Sequence, residues 1–172
     1  MGKYISAKAK LELLYCLNGL KPVPIDKKHC AICEKIFVYI CVLKNRKMNC
    51  PCCSGKSYEE CCQPYHTGEK NAPTAEALMR SRFSAFAIPN GEYLMQTTSP
   101  SKRQNHSKKD LQEWGEINEW TKLEIVDKPS MNKVEFKAFY TDQDRQKQVH
   151  HELSTFKMIQ NRWFYVTGEF LD

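Results

Sequence analysis

Five cysteines within thirteen residues, Cys50, Cys52, Cys53, Cys61 and Cys62, constrain this chain more than any other feature. The other four, Cys16, Cys30, Cys33 and Cys41, precede Met48, and the last 110 of the 172 residues hold none. A disulfide framework staples a whole small fold and would spread its cysteines along it. Clustering points instead to metal binding in a reducing compartment, so the expected location is the cytoplasm. Leu11–Leu20 carries Glu12 and lacks a convincing small-residue cleavage site, so it does not have the form of a secretory leader. The longest apolar run, Ile36–Leu43, is eight residues between Lys35 and Lys44. A bilayer span needs about twenty, and no membrane association is expected.

The stretch Met48-Asn-Cys-Pro-Cys-Cys-Ser-Gly-Lys-Ser-Tyr-Glu-Glu-Cys-Cys62 has the spacing of a tetrahedral thiolate site. Short C-x-C and C-C steps each place two sulfurs on one ion at about 2.3 Å. Ser54 and Gly55 supply a tight turn, and Tyr58-Glu-Glu begins a helical turn that carries the second pair back. A unit of this size cannot bury enough apolar surface to fold alone, so the ion must supply what the core does not. The competing reading, a redox pair of free thiols, fits poorly, because thioredoxin-like motifs use C-x-x-C at a helix start. One zinc ion is expected; iron suits the same four-thiolate geometry.

The pattern C-P-C-x-S-G-K-x-Y-x-x-C-C resembles the SEC-C motif, the zinc knuckle named after the C-terminal tail of the SecA preprotein translocase motor. The resemblance implies Cys50, Cys52, Cys61 and Cys62 as ligands. It also implies docking to a protein partner, a chaperone, translocase or ribosome, with Lys56, Ser57 and Tyr58 of the loop as contact residues. This chain has Cys53 where the motif normally has glycine. That thiol is expected to be a spectator, with exchange of Cys53 for Cys52 left open.

Further along, the helix Thr74-Ala-Glu-Ala-Leu-Met-Arg-Ser-Arg-Phe-Ser-Ala-Phe86 is followed by Tyr93-Leu94, Trp120 and Leu123. With His151-Glu-Leu-Ser-Thr-Phe156 and Trp163-Phe-Tyr-Val-Thr-Gly168, these segments are similar to the YchJ family. That family joins a SEC-C knuckle to a domain of nuclear transport factor 2-like fold, helices packed on a curved antiparallel sheet that forms a cone. Leu153 and Thr155 stand where relatives carry arginines. The implied organisation is an N-terminal extension at 1–47, a knuckle at 48–70 and the cone domain at 72–172.

The residue pattern independently supports an α+β fold. Thr74 caps a helix with apolar positions Ala75, Leu78, Met79, Phe83 and Phe86, which Pro89-Asn-Gly91 ends. Short helices are expected from Glu92 to about Thr97 and from Leu111 to Trp120, the latter with Trp114 and Ile117 on one face. Strands follow at Lys122–Val126, Val134–Tyr140, Val149–Ile159 and Trp163–Phe170, with turns at Lys128-Pro-Ser, Thr141-Asp-Gln-Asp and Gln160-Asn. Within the cone the candidate cavity or ion-pair residues are Arg80, Arg82, His151, Glu152 and Tyr165. Glu152 is expected to pair with Arg80 or Arg82, since an unpaired buried charge is costly. Of the adjacent His150 and His151, only one can face inward. No catalytic signature accompanies them, which favours a protein-interaction module over the alternative, a small-ligand binder or enzyme using the cone.

The net charge of +6 hints at a polyanion partner until it is located. Residues 1–47 hold ten basic residues against three acids (Glu12, Asp26, Glu34), whereas the remainder holds 16 against 17. The knuckle contains only Lys56 beside Glu59 and Glu60, so a nucleic-acid ligand is not expected. The basic segment is read either as an over-extended start, with the chain beginning at Met48, or as an appendage. In the second reading Cys30 and Cys33, with Cys16, His29 or Cys41, would bind a second metal.

Overall fold

Thr74 ends the linker into the cone: its hydroxyl accepts from the Ala77 amide at 3.0 Å, satisfying a free donor of the first helical turn. The computed structural model describes residues 48–172, and the expectations for the 1–47 segment lie outside them. In chain order the helices are α1 (Gln63–His66), α2 (Ala75–Ala87), α3 (Gly91–Gln96) and α4 (Lys108–Ile117), with a 3-10 turn at Arg103–Asn105. Four strands follow, β1 (Glu119–Ser130), β2 (Lys133–Thr141), β3 (Lys147–Ile159) and β4 (Arg162–Phe170). They form one antiparallel meander in the order β1-β2-β3-β4. Among the described residues no helix is long and apolar enough to cross a membrane.

The expected α+β architecture is present, and its core follows from two periodicities. On α2, Ala75, Leu78, Met79 and Phe83 are buried along one stripe. On β2, Val134, Phe136 and Ala138 alternate inward, and on β3 Glu152, Ser154 and Phe156 share that face through the pairs Phe136↔Glu152 and Val134↔Ser154. Leu78, Phe83, Leu94, Val134 and Phe156 are essentially inaccessible. Each contributes on the order of 1.5–3 kcal/mol through removal from water. After α3 the chain touches the outer edge of β4 at one bridge: Ser99 N–H donates to the Tyr165 carbonyl (2.7 Å) and Tyr165 N–H to the Thr97 carbonyl (2.8 Å).

Two boundaries differ from expectation. The third expected helix ends at Ile117, not Trp120, because Asn118 turns extended and its amide donates to the Trp114 carbonyl at 2.9 Å. Trp120 belongs to β1, packed among Phe83, Phe86, Trp114 and Tyr140. Nor do Trp114 and Ile117 form a buried face. α4 approaches through Gly115, where a Cβ would stand 2.8 Å from the Phe86 carbonyl. The expected turn at Lys128-Pro-Ser is strand instead: β1 is an edge strand, so Pro129 costs no ladder bond, and the chain reverses at Met131-Asn132.

The inner face of β3 carries a buried carboxylate. Glu152 accepts from Ser154 Oγ and is 2.8 Å from His150 Nε2. Its chain lies over Gly168 of β4, where a Cβ would come within 2.1 Å of its Cδ and Oε1. Gly168→Ala is therefore expected to lower unfolding stability by about 2–3 kcal/mol, the upper part of the range for overpacked sites, as measured by urea denaturation. Unchanged stability would mean that Glu152 does not occupy this position.

Candidate metal centre

The knuckle is a short hairpin followed by a turn. Asn49 bridges Ser57, Cys50 N–H donates to the Lys56 carbonyl (2.8 Å) and Tyr58 N–H to the Met48 carbonyl (2.8 Å). Gly55 takes φ +75 at the tip, a conformation glycine adopts without a Cβ clash. The following segment is a hydrogen-bonded turn rather than a helix. Cys61 and Gln63 amides both donate to the Tyr58 carbonyl, and the helix proper starts at Gln63.

This backbone gathers four sulfurs. The Sγ atoms of Cys50, Cys52, Cys61 and Cys62 all lie within 4.8 Å of one another. Cys52 and Cys61 are 3.5 Å apart and Cys61 and Cys62 3.9 Å. A tetrahedron with metal–sulfur bonds of about 2.3 Å has sulfur–sulfur edges of about 3.8 Å, so the set can hold a metal ion. Hydrogen bonds from Cys52 and Cys62 hold the Cys50 thiol well below its usual pKa, while the bond to Cys50 drives Cys62 up. Ser54 Oγ lies 3.2 Å from Cys61 Sγ, and Ser84 Oγ, from α2, 3.9 Å from Cys50 Sγ.

Cys53 stands apart. It is exposed, its Sγ donates to the Pro51 carbonyl (3.4 Å) and accepts from the Leu123 amide (3.4 Å), and it is outside the sulfur cluster. Its φ is +59. A side chain is strained in that left-handed conformation, which a glycine, as in the motif that the segment resembles, takes freely.

A latch that sequence reasoning missed fixes the knuckle to α2. His66 Nε2 is 2.8 Å from the Ser81 carbonyl, which only accepts, so Nε2 carries the proton and Nδ1 accepts from the Tyr58 hydroxyl at 2.8 Å. Burial holds His66 below its ordinary pKa, consistent with this neutral tautomer. Its ring also packs on Tyr93 at 4.6 Å. The sequence signal was present in C-C-x-P-Y-H, four residues past Cys62.

The loop residues divide. Lys56 is exposed, but Ser57 is buried, its hydroxyl donating to Glu60 Oε2 at 2.9 Å, and Tyr58 is half-buried in the latch. Ser57 and Tyr58 are thus held inward by the knuckle itself rather than displayed for a partner.

The expected ion pair of Glu152 with Arg80 or Arg82 does not form. Arg80 lies on the knuckle side of α2, donating to the Cys52 carbonyl (3.1 Å) and to Glu76 (2.8 Å), which also receives Lys128 (2.9 Å). Arg82 points to the α3 side, bonded to the Leu94 carbonyl, Thr97 and Thr98, with its guanidinium 4.7 Å from the centre of the Tyr165 ring. Burial pulls the Arg82 pKa down. Burial, reinforced by the neighbouring Glu152 carboxylate, pushes Tyr165 up to about 12, so the phenol stays protonated between the two charges. His151 lies on the outer face, away from the cone interior, where it takes the ion-pair role with Glu135 at 2.8 Å. His150 shares the inner face because it has the parity of Glu152 and Phe156, a signal that was legible.

Known proteins corroborate this architecture. A family model described as "YchJ, middle NTF2-like domain" matches residues 74–168. A UPF0225 protein of Actinobacillus succinogenes is 43% identical over 122 residues, covering 68% of this chain and 79% of the relative. Another from Corynebacterium glutamicum is 40% identical over 126 residues, covering 70% and 95%. The solution structure of a SEC-C motif containing protein from Rhodopseudomonas palustris superposes with a TM-score of 0.66 at 34% identity, covering 73% of this chain and all of that one. A crystal structure of a SEC-C motif containing protein from Psychrobacter arcticus gives 0.61 at 37% identity, covering 69% and 80%. With the cone domain matched and its knuckle neighbours of the SEC-C type, the chain belongs to the YchJ family.

Proposed function

We propose that this protein is a zinc-binding adaptor of the cytoplasm, in which Cys50, Cys52, Cys61 and Cys62 hold one structural ion and the ordered knuckle docks a protein partner. The observation that carries the reading is the convergence of four sulfurs within 4.8 Å, with no disulfide among them. Zinc fits because a closed four-thiolate shell leaves no open position for substrate, the form of a structural site. Free thiols held this close are compatible with a reducing compartment. The SEC-C resemblance supports a chaperone, translocase or ribosome as partner, approached through the exposed Lys56 side of the knuckle. Four thiolates and one zinc ion would leave a local charge of −2, which disfavours a nucleic acid. The cone has weaker support as an active site, since Glu152 is 6% exposed and already engaged by its own neighbours.

Elemental analysis is expected to give about one zinc per chain. Cys61→Ser with Cys62→Ser should abolish it while the β-sheet signal in circular dichroism persists. Metal-free protein from zinc-replete cells would overturn the reading. As a spectator in a strained conformation, Cys53 should be replaceable: Cys53→Gly is expected to raise stability by about 1 kcal/mol with zinc content unchanged. Loss of zinc in that variant would make Cys53 a ligand. For the docking role, Lys56→Glu is expected to weaken cosedimentation with purified ribosomes, or pull-down of the purified secretion chaperone, while leaving zinc content intact. Equal binding by the variant would remove Lys56 from the contact surface.

A further inference from the structure

A second hollow, away from the four sulfurs, opens where the chain leaving the knuckle meets α3 and the start of β4. Its volume is about 240 Å³, and Tyr65, Lys70, Asn71, Tyr93, Arg162 and Trp163 are among the residues that line it. No carboxylate is on its wall. Tyr65 also lines the separate hollow over Cys61 and Cys62, so the two share that side chain as a partition.

Several polar groups in the hollow are already used. The Tyr93 hydroxyl bonds Ser81 at 2.7 Å, Trp163 Nε1 donates to the Pro73 carbonyl at 3.3 Å and the Gln96 amide donates to Glu92. What remains at the rim is cationic. Lys70 has only Glu69 as a partner, at 3.9 Å with both side chains about two-thirds exposed, a pairing worth little in water. Arg162 lies 5.6 Å from the centre of the Phe164 ring, and among the described residues no carboxylate is within ion-pairing distance of it. Aromatic walls from Tyr65, Tyr93 and Trp163 suit a flat apolar body. The volume is below that of drug-sized sites, which limits the occupant to about one substituted ring.

We propose that this hollow binds a small organic carboxylate, its anionic end between Lys70 and Arg162 and its flat body against Tyr65, Tyr93 and Trp163. None of the four sulfur ligands lines the hollow, so the proposal does not rest on the docking of a partner.

Isothermal titration of the full chain, purified with its metal complement, with benzoate tests this, with benzamide as the uncharged probe. Benzoate is expected to bind saturably and at least about tenfold more tightly than benzamide, a difference of about 1.4 kcal/mol. Lys70→Glu with Arg162→Glu should cut benzoate affinity by about tenfold or more and leave benzamide unaffected, with the thermal midpoint unchanged because both side chains are exposed. Absence of saturable benzoate binding, equal binding of the two probes, or undiminished benzoate binding by the double variant would each overturn the proposal. A tighter complex with phenyl phosphate than with benzoate would also overturn it, by making the site a phosphate site.

Discussion

Like charges held a few ångströms apart in a partly buried space repel strongly, and this knuckle is built around that problem. Its hairpin and turn have little apolar surface of their own, yet they force four sulfurs together. The backbone bonds between Met48 and Tyr58 and the reversal at Tyr58–Cys62 make sense as a frame for a cation. Toward thiolates, which only accept, the two serine hydroxyls near Cys61 and Cys50 would be donors, softening the charge that an ion does not cancel.

α2 makes the knuckle and the cone one object by dividing its circumference. Leu78, Met79 and Phe83 serve the core, whereas Arg80, Ser81 and Ser84 meet the knuckle through the Cys52 carbonyl, His66 and Cys50. Arg82 is left for the α3 side, where three oxygens and an aromatic face take the place of a paired carboxylate. A buried guanidinium is tolerable here because its charge is met by dipoles fixed by helix ends and by a phenol that shares the neighbourhood with Glu152.

Much of this was legible in the residues. The Thr74 cap, the α2 stripe and the alternation of Val134, Phe136 and Ala138 are local signals, and local structure obeys them. The sulfur set followed from spacing and resemblance. Partner choice was not legible: which of Arg80 and Arg82 approaches Glu152 depends on helix rotation against the sheet, and Arg82, though within the field of the carboxylate, bonds oxygens at the end of α3 instead. Between His150 and His151, strand parity with Phe156 marks His150 as the inward residue, and His150 is the one beside Glu152. The positive φ of Cys53 left no mark in its own residue type, because cysteine carries no preference for that conformation; only the glycine of the resembled motif pointed to it.

β1 carries a last consequence. The outer edge of β4 meets the segment after α3 at a single bridge, Thr98 to Tyr165, and among the described residues β1 is the sheet's other edge strand, with its Leu123 amide given to Cys53 of the knuckle. Register shifts between Trp120 and Lys122, Ile125 and Asp127, and Asp127 and Ser130 break its ladder, and Pro129 removes a donor near its end. Exposed Lys122 and Lys128 flank the same edge. An incoming strand would find neither an even row of amides nor a neutral surface, so the irregularities that blurred the end of this strand in the sequence also keep the sheet from recruiting a neighbouring chain.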